Sequence, residues 1–113
     1  MKRTKENSTE YSWGKKCKGW HLAQTESLGV IQEIMPPKTE EVKHKHNLAQ
    51  QFFFILKGEA TFEIEGKEFI IHPSEGIHIK KGKTHKIINN SKIDLEFLVI
   101  SEPHSHGDKI IIE

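Results

Sequence analysis

Two histidines separated by one residue are the part of this sequence best suited to chemistry. His44 and His46 flank Lys45, and on an extended strand this spacing places both imidazoles on one face, about 6.6 Å apart. At that separation the two rings can share a metal ion. The pair is a weak signal alone, but Gln51 and Gly58 extend the pattern.

The composition decides which metal ligands are available. Eight of the 113 residues are histidine and only one, Cys17, is cysteine, so histidine must dominate any ligand set and a cysteine-based zinc or iron–sulfur site is excluded. Arg3 is the single arginine, so no guanidinium group clamps a carboxylate or phosphate from the domain core. This favours a neutral polyol, or a substrate held by lysine, as the ligand.

Short strands separated by turn residues are predicted from Trp20 onwards, where no ten-residue window shows helical periodicity. The short turns indicate antiparallel pairing, because parallel crossovers need a dozen or more residues. The pattern predicts an all-β sandwich or small barrel. The predicted strands are 29–35, 51–57, 60–65, 67–72, 76–80, 85–90 and 94–101, with a weaker one at 21–25.

The chain is short enough to form one domain, and residues 1–19 are predicted to be a basic tail preceding a domain at residues 20–113. This first segment holds six Lys or Arg against two Glu, with almost no periodic apolar residues, which is typical of a solvated arm. Tyr11, Trp13 and Trp20 could hold its end against the domain.

The segment 52–56 is apolar on both of its faces. Phe52, Phe54 and Leu56 share the face opposite to Phe53 and Ile55. Burying three such side chains is worth roughly 5–8 kcal/mol, at about 1.5–3 kcal/mol each. A twofold-related sheet is the expected cover, so we expect a homodimer.

These residues together resemble the two motifs of the cupin superfamily over about residues 28–101. Gln51 takes the place of the family's glutamate with its spacing kept. The departures at turn positions are Lys38, Ser74 and Lys80. The matching residues are His44, His46, Gly58, Gly82, His85 and Asn89.

The resemblance implies an antiparallel double-stranded β-helix, the jelly-roll-like cupin β-barrel. It also implies that His44, His46, Gln51 and His85 hold a divalent metal ion inside the barrel, such as Zn, Fe, Ni or Mn. Three imidazoles and one amide leave positions open for water or substrate, as catalysis requires. Asn89 is expected to fix a turn or strand end through its amide.

The leading functional prediction is a Lewis-acid isomerase, epimerase or lyase acting on a small sugar-like or polar metabolite. A non-enzymatic cupin module that binds a small ligand or a metal is the alternative, including a barrel that has lost its metal. A metal-dependent dioxygenase ranks third, because neutral Gln51 leaves the charge of the ion uncompensated and disfavours its trivalent state. No paired general-acid carboxylates stand out, so the acid or base is unassigned.

Charge and hydropathy exclude other partners. The net charge of +1 gives no attraction to nucleic acid or to an anionic membrane, and neither a signal peptide nor a membrane segment is apparent. We therefore expect a soluble, cytoplasmic protein. His78 is predicted on the polar face of an edge strand, and His104 and His106 in a mobile rim loop rather than a second metal site.

Overall fold

The structure is a computed structural model that describes residues 1–105 and 107–112. This part of the chain has one short 3-10 helix at Lys5–Asn7 and no helix long and apolar enough to cross a membrane. It has twelve strands, which confirms the all-β prediction. The strands are β1 Thr9–Trp13, β2 Cys17–Gln24, β3 Gly29–Met35, β4 Thr39–Glu40, β5 His44–His46, β6 Gln50–Lys57, β7 Ala60–Ile64, β8 Lys67–Ile71, β9 Gly76–Ile79, β10 His85–Asn89, β11 Leu95–Glu102 and β12 Lys109–Ile111.

The strands form two antiparallel sheets. The first has the order β1-β2-β3-β11-β6-β9, and the second has the order β12-β5-β10-β7-β8, with β4 paired to β10. Both sheets contribute to one buried apolar cluster. Phe53 of the first sheet packs against Phe62 of the second, with ring centroids 5.0 Å apart. The core therefore lies between the sheets.

Strands β6 and β11 alternate between buried and outward-facing residues, as period-two patterning requires. In β6, Gln51, Phe53 and Ile55 are buried, whereas Phe52 and Leu56 are 38% and 40% exposed. The predicted assignment of the two faces is confirmed. Because β6 and β11 pair directly, the inward residues of β6 lie beside those of β11, and the apolar members of both sets belong to the core.

The structure differs from the predicted basic tail. Residues from Thr9 onwards form the hairpin β1–β2, which joins the first sheet through β3, and the predicted boundary at residue 19 falls inside β2. Cys17 is fully buried in the core, and Trp13 packs against that core. Of the basic residues that suggested a tail, Lys15 and Lys16 lie in the turn between β1 and β2 and Lys18 is exposed on β2, whereas the other three precede β1.

Asn89 ends β10 and fixes the following turn through its amide, as predicted. Its Nδ2 donates to the carbonyl oxygens of Met35 and Ile93 at 2.8 and 2.9 Å. Its Oδ1 accepts from the backbone N–H and the hydroxyl of Ser91 at 3.0 and 2.7 Å. The side chain is fully buried, so these bonds satisfy it and fix the turn that follows the strand.

Candidate metal centre and its cavity

Three histidines meet on the second sheet, on the two adjacent strands β5 and β10. His44 and His46 lie on β5, and His85 is the cross-strand partner of His44. The ring centroids of His44 and His85 are 4.4 Å apart, and those of His44 and His46 are 5.0 Å apart. All three residues are buried, and one nitrogen from each lies within 4.8 Å of the others. The arrangement matches what a shared metal ion requires.

Backbone carbonyl groups orient two of these rings. His44 Nδ1 lies 2.8 Å from the carbonyl oxygen of Val42, and His85 Nδ1 lies 2.9 Å from that of Lys83. A carbonyl oxygen only accepts, so Nδ1 donates and Nε2 carries the lone pair. His85 Nε2 is buried and has no hydrogen-bond partner among the described residues. Both rings therefore present the nitrogen that binds a metal.

Burial also keeps the three rings neutral. Desolvation lowers the pKa of His44 to about 3 and that of His46 to about 4, and it lowers the pKa of His85 as well. Hydrogen bonds to the carbonyl groups oppose this effect at His44 and His85. Since a metal ligand must be deprotonated, protons do not compete for these rings near neutral pH.

Gln51 brings a fourth donor to the same cavity. Its Nε2 donates to Ser101 Oγ at 3.1 Å, while its Oε1 is buried and has no partner among the described residues. An amide oxygen and an imidazole nitrogen that are both buried and unpaired are costly unless a cation or donor meets them. The side chains present therefore fit a divalent metal ion.

The cavity beside the histidines has a volume of about 400 Å³, enough for a small metabolite. Phe53 and Val99 form an apolar part of its wall, and His104 and Ser105 lie in its lining. His106 lies outside the described residues, so its predicted loop position stays a prediction. His78 is exposed on β9, at the edge of the first sheet, as predicted.

Two carboxyl groups that the sequence interpretation missed line this cavity, Glu33 of β3 and Glu41 of the segment before β5. Burial raises the pKa of Glu33 to about 7, against the opposing effects of a hydrogen bond from Tyr11 and of the charge of Lys109. Burial and then the charge of Glu33 raise the pKa of Glu41 to about 8. No paired carboxylates stood out in the sequence, whereas the structure places these two in one cavity.

The alternation of side chains along β3 contained the sequence signal for Glu33. In β3 the residues that share its face are Ile31 and Met35, so a carboxylate occupies a core-facing position between two apolar residues. Glu41 carried no comparable signal, because it lies outside any strand. Its Oε1 is 3.8 Å from Nδ1 of His44, which places it behind the metal-binding nitrogen of that ring.

The fold and the site together define a small antiparallel β-barrel whose strands present three histidines that could hold a metal ion. The family model for the cupin domain matches residues 31–101, and the chain belongs to the cupin family. Its two sheets are the double-stranded β-helix of that family, as the sequence motifs implied.

Two curated relatives and one solved structure illustrate the similarity. An uncharacterized protein of Methanocaldococcus jannaschii is 29% identical over 85 residues, which is 74% of this chain and 68% of that protein. The oxalate-binding protein of Thermotoga maritima is 33% identical over 66 residues, 58% of this chain and 54% of the relative, so the match spans about half of its length. The crystal structure of a predicted oxalate decarboxylase from Thermotoga maritima superposes with a TM-score of 0.82 at 25% identity, covering 90% of this chain and 98% of the other.

Proposed function

We propose that this protein is a metal-dependent isomerase, epimerase or lyase that moves a proton on a small polar metabolite. The observation that carries the proposal is the presence of two carboxyl groups, Glu33 and Glu41, in the same cavity as His44 and His46. Their pKa values of about 7 and about 8 suit groups that must give and take protons near neutral pH.

His44, His46, His85 and Gln51 would hold a divalent ion such as Zn, Fe, Ni or Mn. When bound, such an ion polarises a carbonyl or hydroxyl oxygen of the substrate and makes a neighbouring C–H group more acidic. The carboxyl groups of the cavity then supply the acid and the base. This division of roles needs no cysteine, serine nucleophile or phosphate-binding loop, in agreement with the sequence.

Lys109 favours a substrate held by a lysine, which the sequence interpretation gave as one alternative beside a neutral polyol. It lies opposite His46 in the β5–β12 pair, and directly opposed residues of an antiparallel pair share a face. Among the described residues that line the cavity, it is the single Lys or Arg. Its ammonium group is suited to hold a hydroxyl or an anionic group of the metabolite while oxygens at the other end reach the metal ligands.

Turnover by metal-loaded protein tests the proposal. Zinc-, nickel- and manganese-loaded samples would be incubated with small aldoses, ketoses and hydroxy acids, and products would be followed by NMR. We expect turnover of at least one compound and its loss in His46→Ala. The matched control is His78→Ala, which removes an exposed histidine. Equal turnover in His46→Ala and wild type would contradict the proposal.

A non-enzymatic module that binds a small ligand is the second candidate, and the 33% identity to an oxalate-binding protein favours it. A small dicarboxylate could bridge the metal centre and Lys109. Calorimetric titration of zinc-loaded protein with oxalate distinguishes the candidates. Binding that weakens in Lys109→Ala, together with no turnover of any compound, would favour the binding module. We rank a dioxygenase below both, because Gln51 brings no negative charge to the ion.

We further propose a homodimer located in the cytoplasm. The apolar outer face of β6 supports the dimer, because Phe52 and Leu56 are exposed and Phe54 lies between them on the same face. Burying such side chains contributes about 1.5–3 kcal/mol each. A second copy of the same sheet face is the complementary cover that twofold symmetry supplies.

A further inference from the structure

In the first sheet, the side chain of Tyr11 on β1 crosses β2 and reaches Glu33 on β3. Tyr11 of β1 is the cross-strand partner of Gly19 of β2, and Gly19 is the partner of Glu33 of β3. Directly opposed residues share a face of the sheet. Tyr11 therefore extends over the position of Gly19 and reaches Glu33, where its hydroxyl donates to Oε2 at 2.5 Å.

Gly19 is required for this contact by space rather than by backbone conformation. Its φ angle is not among the positive values in the chain, so another residue could adopt its backbone. A Cβ atom at this position would overlap Cζ and the hydroxyl oxygen of Tyr11. His21 contacts the Tyr11 ring as well, with centroids 4.8 Å apart. The ring is thus held between β2 and Glu33.

Glu33 and Glu41 differ in what they can reach. Oε1 of Glu41 is buried without a hydrogen-bond partner among the described residues, and it lies 3.8 Å from the Nδ1 of His44. It therefore faces the side of that ring turned away from a metal. Glu33 has one oxygen fixed by Tyr11, and both residues line the cavity. The second oxygen of Glu33 has no hydrogen bond from any described residue.

We infer that Glu33 exchanges a proton with the metabolite in the cavity and that Tyr11, lying over Gly19, is the positioning residue that holds its carboxyl group. This inference rests on the proposed function and deepens it. It names hydroxycarbonyl compounds as the substrate class, because their adjacent oxygens can face the metal ligands while the neighbouring C–H group faces Glu33.

The proton transfer balances without any other reactant. Ionised Glu33 takes the proton from the carbon next to the carbonyl group, the C–H electron pair becomes part of a C=C bond, and the carbonyl π pair moves to oxygen. Neutral Glu33 then returns the proton to the metabolite, which regenerates its ionised carboxylate. Among the described residues, Glu33 interacts with the hydroxyl of Tyr11 through a hydrogen bond and with Lys109 and Glu41 through their charges.

The first test follows Glu33 itself by carboxyl ¹³C NMR in zinc-loaded full-length protein. The Tyr11 hydroxyl stabilises the ionised carboxylate, so Tyr11→Phe should move the Glu33 titration midpoint up by about one pH unit. Gly19→Ala should produce the same direction of shift by displacing the ring. Gly76→Ala is the matched control, because a Cβ there overlaps the Phe52 ring and the carbonyl oxygen of Phe53 next to β9, the edge strand opposite to β1. An unchanged midpoint in Tyr11→Phe would overturn the positioning role.

The second test measures hydrogen–deuterium exchange at the C–H groups of dihydroxyacetone in D₂O. We expect exchange with zinc-loaded wild type, a loss of about 100-fold or more in Glu33→Gln, and an upward shift of the pH profile in Tyr11→Phe. If Glu33→Gln kept full exchange while His46→Ala lost it, the role of Glu33 would be refuted and the proposed metal-dependent function would stand. No exchange with wild type would refute the proposed function and the proton transfer, while the NMR midpoint would still decide the relation of Tyr11 to Glu33.

Discussion

Gln51 and Ser101 are directly opposed in the β6–β11 pair, and the amide of Gln51 donates to the Ser101 hydroxyl oxygen at 3.1 Å. Both residues are buried. Because the amide nitrogen is engaged, its oxygen is the atom left for the cavity. Ser101 therefore decides which end of the amide can meet a metal ion, although it binds no metal itself.

Ser101→Ala should weaken zinc binding by about tenfold, because groups that orient metal ligands typically contribute 10–100-fold in affinity. The substitution removes the acceptor for Gln51 Nε2 and lets the amide turn. Calorimetric titration of zinc into the metal-free protein measures the effect. Ser12→Ala, at an exposed position of β1, is the control, and equal affinities for the two variants would contradict the orienting role.

Gln51→Glu should tighten metal binding and reduce turnover that involves no oxidation. A carboxylate cancels one unit of the charge of the ion, so the ion acidifies its bound water less and polarises the substrate less. Zinc titrations and product formation would be compared with wild type. If Fe(II)-loaded wild type consumed oxygen in stoichiometric amounts with a substrate, the neutral ligand set would be no barrier to redox catalysis and the ranking of the dioxygenase would be wrong.

His46→Ala and His85→Ala should each reduce bound metal to below about a tenth of the wild-type amount, because three histidine nitrogens converge on one point. Elemental analysis of protein purified without a histidine tag measures this. His106→Ala should leave the metal content unchanged, a prediction from the sequence alone. If it depleted metal as strongly as His46→Ala, the C-terminal histidines would belong to the ligand set.

Glu33→Gln should stabilise the metal-free protein more at pH 8 than at pH 5. Burial raises the folded-state pKa of Glu33 to about 7 from an ordinary value of 4.5. Below about pH 4.5 the carboxyl group is neutral in both states; as the pH rises to about 7, the unfolded chain ionises more readily and folding stability is lost. Urea unfolding at both pH values measures the difference, with Glu68→Gln on exposed β8 as control. An effect independent of pH would contradict the shift.

Leu56→Lys should convert the proposed dimer into a monomer at concentrations of about 10 μM, because a charge buried in an apolar interface is desolvated without a partner. Light scattering coupled to gel filtration measures the mass. Leu48→Lys introduces the same residue at a position that is 68% exposed and should leave the mass unchanged. A monomeric wild type would refute the dimer.

Alternation of apolar residues predicted the strands of the domain well, because most inward positions of β6, β7 and β11 hold apolar residues whose burial drives folding. It failed at the first hairpin. Of its described residues, only Cys17 belongs to the core cluster and only Trp13 packs against it, while backbone pairing joins β1 to β2 and β2 to β3. Backbone pairing does not require alternating apolar residues, so the sequence pattern did not predict β1 or the start of β2.

The site was predicted in part for a related reason. Local spacing and the family motifs together indicated His44, His46 and His85, which the structure brings together. The contact of Tyr11 with Glu33 spans 22 residues and depends on the register of three strands. Register of that kind is a property of the assembled sheet, so single-sequence patterns did not contain it.

The Tyr11–Gly19–Glu33 arrangement divides the chain into two parts that evolution can alter separately. The segment matched by the family, 31–101, contains all four proposed metal ligands and Glu33 but neither Tyr11 nor Gly19. A homologue with a different first hairpin could therefore keep the metal ligands and the glutamate but lack the tyrosine that positions the carboxyl group. Tyrosine, glycine and glutamate at intervals of eight and fourteen positions are a searchable pattern that would separate homologues with this chemistry from those that share only the barrel.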